Sequence, residues 1–532
     1  MTRPYYASTS RGQVRLYVGG TGRTLVVLAG LTRAASCVAD ELAALLPRRR
    51  VVVVETPGVG GSARADASGL AERVETVVAA LGFLGRTEVD LVALEHAVAL
   101  VPGVASGLAA AGTPCGVTVL VDERAPLAWA DHGTTPPSPA ARVDGTHLTA
   151  FWSFLRDRRL VRPDDPTQPR THGAPLPGVR ELHAGFVAAT TRPEAYVRAW
   201  DELTRALTGG GVATAGATCV DTLAELASAL PATGESDDGS SLAVPVTTPA
   251  PGTGLWHDYV QTSVGLAHLR RAGSTGRPLL VLSTGGGSSA QFEPVVRGLA
   301  EGRTVAALDY FGNGLSEPLD RTPDVGDLAA EAFAVADALG WDSFDVWGSH
   351  TGACTALEMT VTRPERIGRA VLEAPVVISA DFRDDLQAHY FPDLAADPFG
   401  THVQRAWHWR REVFLYWPWY RVDHAAARSI GLPSAEDLQL YAVGIHESGA
   451  TYDGAYRAAF DYDTRARLPL LTRPAILVAG PHDMLANALD DAADLVPDDL
   501  LRIVDTPATV WWPDPEPQAA ADTMTIYREF LR

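Results

Sequence analysis

A single histidine stands where the sequence predicts a sharp turn between a strand and a helix. Segment 346–353 reads Val-Trp-Gly-Ser-His-Thr-Gly-Ala, and it follows an apolar run and precedes a helix-like one. Glycines two residues before and two after a central residue let the backbone turn tightly enough to present that side chain. The central residue is His350, whose imidazole is a good base but a poor carrier of a lasting acyl group. The spacing favours a functional base at His350; the alternative is a core histidine that fills a collapsed site.

The two halves of the chain carry the same short motifs in the same order, at an offset of about 254 residues. So many matches in one order indicate a tandem duplication. The alignment places His96 opposite His350. The other pairs include apolar runs 25–28 and 279–282, turns 55–62 and 309–316, and segments 145–152 and 400–407.

A segment rich in Pro, Gly and Ser separates the two halves and predicts a linker over 231–255. This gives one domain over 1–230 and a second over 256–532. In each half, strand-like and helix-like patterns alternate, which is typical of a mostly parallel sheet with helices on both faces. We therefore predict the α/β class with two similar domains.

Three motifs narrow this class. They are a strand that ends in small residues, the turn Asp-x-x-Gly-x-Gly-x-Ser over 309–316, and the glycine-flanked turn at His350. Together they resemble the α/β-hydrolase superfamily, nearest the branch with epoxide hydrolases and haloalkane dehalogenases. The resemblance covers both halves and implies two tandem α/β-hydrolase-fold domains. It also implies a helical cap over about 378–465, with a less clear counterpart over 126–208.

By this resemblance, the acid of a catalytic triad follows the seventh strand, where the sequence has Asp483. The family's catalytic histidine follows the eighth strand, and there the sequence has Trp511. The triad is thus degenerate and its usual base is missing. Because an imidazole is longer than a serine side chain, His350 can reach toward Asp483, and we predict a dyad of these two residues.

The family places an oxyanion hole beside the turn, which here implies Gly285 and Gly286 in a glycine-rich loop and the backbone N–H of Thr351. In the predicted cap, His402 and Trp407 are candidates for substrate binding, as is Trp511 after the last strand. The alternative is that His402 only packs beneath Trp407 and that the aromatic run 407–420 forms the core of the cap.

The first domain is predicted to be inactive. In the alignment, Leu94 and Val98 replace the two small residues of the turn, and Cys219 takes the position of Asp483. His96 would then be a relic. The expected role of this domain is to pack against the second as a homodimer partner would, which makes an intramolecular pseudo-dimer.

Composition excludes several classes of function. The chain of 532 residues is 46% apolar with a net charge of −20, and it has no basic run for nucleic acid or an anionic membrane. Its 44 basic residues are all arginine, which excludes Schiff-base and P-loop lysines. The four cysteines are far apart and suggest neither a zinc site nor disulfides. With no signal-like or membrane-spanning stretch, we expect a cytoplasmic protein without metal or cofactor.

A base beside an oxyanion hole can remove a proton next to a carbonyl group and hold the enolate that results. The first interpretation is therefore elimination, cyclisation or C–C cleavage on a small, fairly apolar carbonyl compound. The Arg-only composition hints at a high-GC bacterial genome, where a tailoring step in secondary metabolism is plausible. Two alternatives stay open: a hydrolase of ester-like bonds in which His350 activates water, and a non-catalytic binding or scaffold protein.

Overall fold

The computed structural model divides the chain into two compact units. The first comprises Met1–Ala140, Thr146–Thr248 and Ala396–Gly400, and the second comprises Ala141–Gly145, Pro249–Ala395 and Thr401–Arg532. Residues 233–242 of the predicted linker lie outside the described residues, so the boundaries 1–230, 231–255 and 256–532 stay a prediction. The structure describes residues 2–65, 67–122, 135–138, 140–162, 165–169, 176–209, 216–232, 243–487, 489, 492, 495, 500–513 and 515–532.

The first unit has a seven-stranded sheet in the order β1-β2-β4-β3-β5-β6-β7. β1 and β2 form an antiparallel hairpin whose second strand is antiparallel to β4, and the remaining pairs are parallel. Every residue of β4 and β5 is buried, as expected for parallel strands covered on both faces. The strands are β1 Arg3–Thr9, β2 Gly12–Gly19, β3 Thr24–Leu28, β4 Arg50–Val54, β5 Val89–Leu94, β6 Cys115–Val121 and β7 Thr218–Val220.

The second unit has an eight-stranded sheet in the order β8-β9-β11-β10-β12-β13-β14-β15. β8 and β9 form an antiparallel hairpin, and β9 is also antiparallel to β11. The other pairs are parallel. The carboxyl ends of the parallel strands meet at one edge, which is where such sheets carry their sites. The strands are β8 Leu255–Gln261, β9 Leu266–Ala272, β10 Pro278–Leu282, β11 Thr304–Leu308, β12 Phe344–Ser349, β13 Ile367–Glu373, β14 Ala475–Ala479 and β15 Leu501–Asp505.

Helices cover both sides of each sheet, so the predicted fold class is confirmed. In the first unit they are α1 Ala35–Leu45, α2 Leu70–Ala80, α3 Val101–Ala110, α4 Thr146–Asp157, α5 Val179–Thr190, α6 Pro193–Thr208 and α7 Leu226–Ala229. In the second they are α8 Glu293–Gly298, α9 Val325–Ala338, α10 Thr351–Thr362, α11 Ala380–His389, α12 Thr401–Glu412, α13 Ala435–Ser448, α14 Gly454–Asp461, α15 Thr464–Arg467 and α16 Pro517–Leu531.

Corresponding strands of the two sheets have the same order and the same kind of pairing. The agreement extends to one buried carboxylate in each sheet. Asp90 in β5 pairs with two arginines, and Asp345 in β12 also pairs with two. This agreement supports the predicted duplication, which itself stays a prediction.

The segment between β13 and β14 holds helices α11 to α15 and most of the aromatic side chains of the second unit. Tyr390 lies at the centre of this cluster, with ring centroids 5.6 to 5.9 Å from those of Trp409, Trp417, Tyr456 and Phe460. These rings form a packed core within the segment. This agrees with the alternative interpretation of the aromatic run 407–420, in which its side chains form a core.

Strand pairing corrects the predicted alignment of the two turns. β5 ends at Leu94 and β12 ends at Ser349, so the next residues, Glu95 and His350, are equivalent. Each has a φ of 50°. The alignment of His96 with His350 is wrong by one residue, because the second unit has one residue more between β11 and β12 than the first has between β4 and β5.

The prediction that bulky residues crowd the first unit's turn is also wrong. Two residues before and two after Glu95 are Ala93 and Ala97, which are both small and buried. Leu94 directly precedes Glu95, and Val98 lies three residues beyond it. The first unit therefore has a tight turn of the same kind, with a carboxylate at its centre.

The predicted equivalence of Cys219 with Asp483 is wrong as well. Cys219 lies within β7 and pairs with Leu120, whereas the corresponding pair in the second sheet is Leu372 with Leu477. Its side chain is exposed. A residue inside a strand cannot occupy the position of Asp483, which follows the end of its strand.

Candidate functional site

The candidate site begins at the turn between β12 and α10, where His350 has φ 50° and ψ −108°. This conformation is strained for a residue with a side chain. Backbone hydrogen bonds hold it on both sides: the N–H of His350 donates to the carbonyl of Glu373 at 2.9 Å, and the N–H of Cys354 donates to the carbonyl of His350 at 3.1 Å. The imidazole is thereby fixed at the carboxyl end of the sheet.

The glycines on either side of His350 are required by close backbone contacts. A Cβ atom on Gly348 would lie 2.1 Å from the carbonyl oxygen of Gly352, and one on Gly352 would lie 2.0 Å from that of Leu282. Such distances are impossible for carbon and oxygen, so the predicted spacing has a steric cause.

We expect Gly352→Ala to destabilise the second unit by about 3 kcal/mol or more, because a backbone carbonyl rather than a flexible side chain must move. Thermal or urea-induced unfolding measures the change. Gly82→Ala is the control, since no atom lies within 4 Å of the Cβ it would add. A Gly352→Ala protein as stable as the control would contradict the steric argument.

His350 and Asp483 form a direct hydrogen bond, with 2.9 Å between Nε2 of the imidazole and Oδ2 of the carboxylate. The other carboxylate oxygen accepts from the backbone N–H of Leu485 at 2.9 Å. The Asp483 side chain is fully buried, whereas 6% of the His350 side chain remains accessible. The structure thus brings together the two predicted members of the dyad.

The contact with Asp483 also sets the protonation state of the ring. The carboxylate accepts the proton on Nε2, so the neutral imidazole has its lone pair on Nδ1. Nδ1 makes no hydrogen bond with the described residues. Burial by itself would lower the pKa of His350, but the Asp483 carboxylate outweighs it and raises that pKa. Nδ1 is therefore the nitrogen that can accept a proton from a bound molecule.

Trp511 stands where the family resemblance placed a catalytic histidine. Its ring lies edge-on to that of His350, with centroids 5.5 Å apart at an angle of 85°. Its Nε1 donates a hydrogen bond to the carboxylate of Glu373. Trp511 thus fills this place and cannot accept a proton there.

Sequence reasoning missed Glu373, which ends β13 and is fully buried. The Tyr527 hydroxyl donates to its second oxygen at 2.6 Å. Burial raises the pKa of Glu373, against the opposing effect of the donors Tyr527 and Trp511. The available signal was a carboxylate at the end of an apolar strand, directly before Ala374-Pro375.

The predicted oxyanion loop lies against the start of α10. A Cβ atom on Gly285 would lie 2.9 Å from Oγ1 of Thr351 and 2.6 Å from the Cα of Tyr456. Gly286 has φ +75° and lies beneath the Tyr456 ring. The structure therefore brings Gly285, Gly286 and Thr351 together beside the turn.

In the first unit, one backbone N–H of the corresponding loop donates to the residue at the centre of the turn. There, the N–H of Thr32 donates to the Glu95 carboxylate at 3.1 Å. β3 pairs with β4 in the same register as β10 with β11, so Thr32 is equivalent to Gly286. By its position in the chain, the N–H of Gly286 corresponds to this donor in the second unit.

The two predicted cap residues are buried apart from the dyad. His402 is 2% exposed, and Trp407 is fully buried with its Nε1 donating to the carbonyl of Val143 at 3.0 Å. Neither makes a hydrogen bond or ring contact with His350 or Asp483 within the described part of the chain. Their role in substrate binding stays a prediction.

Arg410 is a second residue that sequence reasoning missed. It lies on α12 and is 1% exposed. Its Nη2 donates to the carbonyl of Gly286 at 3.3 Å, so the guanidinium sits against the oxyanion loop. The signal was weak, because Arg410 follows directly on the tryptophans of an aromatic run.

The first unit has a cavity of about 220 Å³ at its own turn, lined among others by Glu95, Asp122, Arg158 and Arg159. The Thr32 hydroxyl also donates to Glu95, and Arg158 donates to that hydroxyl at 2.7 Å. Burial, with the Glu95 charge nearby, raises the pKa of Asp122 to about 7. The Glu95 carboxylate thus accepts from the backbone N–H of Thr32, the donor that the oxygen of a substrate would need.

His96 is a core residue of the first unit. It is fully buried with its ring centroid 4.1 Å from that of Trp200. Burial lowers the pKa of His96 to about 4, which keeps the ring neutral. The predicted packing of this unit as a pseudo-dimer partner stays a prediction.

Two further features of the described residues bear on other classes of function. They contain no group of three or more His, Cys, Asp or Glu side chains arranged to hold a metal ion. Among them, too, no helix has the length and apolar character that crossing a membrane requires.

Comparison with known proteins agrees with this architecture. Residues 277–512 match the family model for the α/β hydrolase fold. A relative from Caulobacter segnis, named as carbamate hydrolase RutD, is 35% identical over 220 residues, which are 40% of this chain and 75% of that protein. The chain belongs to the α/β-hydrolase family.

Two further similarities are more limited. Pyrrolizixenacetamide deacetylase from Xenorhabdus hominickii is 28% identical over 116 residues, which are 22% of this chain, and the match spans 44% of that relative's length. The solved epoxide hydrolase from an endophytic Streptomyces is 21% identical with a TM-score of 0.41, covering 52% of this chain and 95% of that one.

Proposed function

We propose that the second unit is a hydrolase of a small carbonyl compound, an ester, amide or carbamate, in which His350 acts as general base on water. The observation that carries this proposal is the 2.9 Å hydrogen bond between His350 and Asp483 at the strained turn. Asp483 orients the imidazole and stabilises the imidazolium that forms, as a buried carboxylate does in hydrolytic triads.

The reaction needs three groups. Nδ1 of His350 takes a proton from a water molecule while the water oxygen attacks the carbonyl carbon. The backbone N–H groups of Gly286 and Thr351 would stabilise the negative charge on the former carbonyl oxygen. When the intermediate collapses, the imidazolium returns the proton to the departing oxygen or nitrogen, which leaves an acid and an alcohol or amine.

Direct attack by water fits this turn better than a lasting covalent intermediate. The centre of the turn is not a Ser, Cys or Asp, and an acyl group on His350 would hydrolyse readily. Trp511 cannot act as a second base to assist such a step. The named activities of the two relatives, carbamate hydrolysis and deacetylation, support a C–N or ester-like bond as the one cleaved.

A second candidate uses the same base for a different step. His350 would remove a proton next to a carbonyl group, and the same N–H groups would hold the enolate during elimination, cyclisation or C–C cleavage. The observation that favours it is a base at a turn that lacks a nucleophile. Turnover in heavy-oxygen water separates the two, because only hydrolysis puts solvent oxygen into the acid product.

The proposed base predicts a pH dependence. Because Asp483 raises the pKa of His350, the inactive protonated ring persists to higher pH, and the rate should rise through a midpoint above about 6.5. Asp483→Asn should move this midpoint to lower pH and reduce the plateau rate by about 100-fold or more. The measurement is kcat/KM against pH on a panel of small esters, acetamides and carbamates.

Asp385→Asn is the matched control. Asp385 is paired with Arg421 on the surface of the segment between β13 and β14, here called the cap segment, and it does not contact His350. A midpoint that stays in place in Asp483→Asn, or that moves equally in the control, would contradict the role of Asp483.

A further inference from the structure

Arg410 is a buried cation that has no carboxylate partner among the described residues. It is 1% exposed, and no carboxylate of the described residues lies within ion-pair distance of its guanidinium. Its Nε has no acceptor among these residues. Burying an unpaired charge is costly, and proteins normally pair such groups. Arg270 illustrates the usual solution in the same unit, since it pairs with Asp309 at 3.1 Å and Glu293 at 3.4 Å.

The contacts that Arg410 does make are weak ones. Nη1 donates to the Tyr441 hydroxyl at 3.4 Å and Nη2 to the Gly286 carbonyl at 3.3 Å, both beyond the usual hydrogen-bond range. The guanidinium carbon lies 4.4 Å from the ring centroid of Tyr441 and 4.8 Å from that of Trp409. These rings position the cation but do not neutralise its charge.

The position of Arg410 connects it to the proposed reaction. Its Nη2 would lie 3.2 Å from a Cβ added to Gly287, so it faces the oxyanion loop. Tyr441 stacks on Trp511 at 6.4 Å, and Trp511 in turn contacts the His350 ring. The charge of Arg410 acts to lower the pKa of His350, against the larger opposing effect of Asp483.

We propose that Arg410 binds an anionic group of the substrate, a carboxylate, and so selects substrates that carry a carboxylate near the bond that is cleaved. This inference rests on the proposed function of the same site. A carboxylate can accept two parallel N–H bonds from a guanidinium, which supplies the missing acceptor and the missing charge together. The aromatic rings around Arg410 favour an apolar body for such an acid.

A binding experiment on the full chain tests this without requiring turnover. The probes are 3-phenylpropanoate and its neutral amide, 3-phenylpropanamide, measured by isothermal titration calorimetry. We expect the carboxylate to bind about tenfold or more tightly than the amide, because a buried hydrogen bond to a charged group has this effect. Arg410→Met should abolish the preference and Arg410→Lys should retain part of it.

Arg421→Met is the matched control, since Arg421 lies in the same cap segment, is half exposed and already pairs with Asp385 at 2.6 Å. It should keep the preference for the carboxylate. Equal affinity for the two probes, including no detectable binding of either, would overturn the proposal. So would a preference that survives in Arg410→Met.

Stability provides a second readout that a merely structural arginine would not give. Arg410→Met removes an unpaired buried charge and keeps much of the side-chain volume, so the melting temperature should stay equal or rise. In the unaltered protein, the carboxylate probe should raise the melting temperature and the amide should not. If Arg410→Met unfolds at a lower temperature and neither probe stabilises the unaltered protein, Arg410 has only a structural role.

The failure of this inference is distinguishable from failure of the proposed function. Loss of the carboxylate preference in Arg410→Met is a binding result that does not depend on His350. If binding behaves as expected and no ester, amide or carbamate is hydrolysed, the site is a carboxylate-binding site without hydrolytic activity.

Discussion

Replacing His350 by alanine is expected to lower the rate of hydrolysis by about 10²- to 10⁴-fold, the range that a positioned general base contributes. The imidazole is the accessible base at the turn, and its Nδ1 is the nitrogen left free by the bond to Asp483. Trp511 cannot replace it, because an indole N–H donates but does not accept a proton. The residual rate would come from the backbone donors of the oxyanion loop.

The dyad also predicts how two changes combine. If His350 and Asp483 act as a unit, the double variant His350→Ala with Asp483→Asn should lose little more than His350→Ala alone. Additive losses would show independent roles. His408→Ala is the control, since His408 is a half-exposed histidine of the cap segment.

Folding must be verified for each of these variants, because His350→Ala leaves the buried Asp483 with one hydrogen bond fewer. Circular dichroism and thermal unfolding separate loss of fold from loss of the base. A folded His350→Ala protein with unchanged turnover would refute the proposed mechanism and favour the reading as a binding or scaffold protein.

Replacing Asp309 by alanine is expected to destabilise the second unit by about 3 to 5 kcal/mol, the cost of breaking a buried charged network by removing one member. Asp309 follows β11 and is fully buried. It accepts hydrogen bonds from His268 at 2.8 Å, from Arg270 at 3.1 Å and from the backbone N–H groups of Ser289 at 2.6 Å and Leu315 at 3.0 Å. It therefore ties two loops to the carboxyl end of the sheet.

The same network gives a pH dependence of stability. Burial would raise the pKa of Asp309, but Arg270 and His268 outweigh it and lower that pKa well below the ordinary value. A lowered folded-state pKa means that the stabilisation is complete above about pH 4 and is lost as the pH falls further. The stability difference between the protein and Asp309→Asn should therefore shrink in acid.

Urea-induced unfolding at several pH values measures both effects. Asp258→Ala is the control, because the ion pair of Asp258 with Arg271 is partly exposed and should contribute about 1 kcal/mol or less. An Asp309→Ala protein no less stable than this control would contradict the argument.

Much of the fold and part of the site could be predicted from local patterns. The spacing Gly348, Gly352 reflects a steric requirement that allows few other residues, so it marks the turn reliably. Buried strands such as β12 are continuous apolar runs, which made the parallel sheet and the family resemblance predictable. Asp483 follows its strand at the expected place, and its carboxylate is hydrogen-bonded to His350, as the predicted dyad requires.

The errors in aligning the two turns arose because sequence similarity alone does not determine the register of paired strands. One additional residue between β11 and β12 shifts the alignment so that His96, the same residue type as His350, falls opposite it. Only the pairing of strands shows that Glu95 occupies the turn. Residue type alone was misleading because His96 is a buried core residue.

Glu373 and Arg410 were missed for a different reason. Each is a single charged residue without a recognisable motif around it, and its significance depends on which charges lie near it in space. Glu373 has the donors Trp511 and Tyr527, more than 100 residues away along the chain. Arg410 stands out because no described carboxylate pairs with it, which a sequence cannot reveal.

The carboxylate of Glu95 has a consequence for how many sites one chain can offer. It is attached to the same backbone as the Thr32 N–H that it accepts from, so its effective concentration at that donor is in the millimolar range or above. A dissolved substrate would have to displace an anion that cannot diffuse away. We therefore expect the first unit to behave as permanently occupied by its own side chain, which would make the chain functionally univalent although it contains the turn twice.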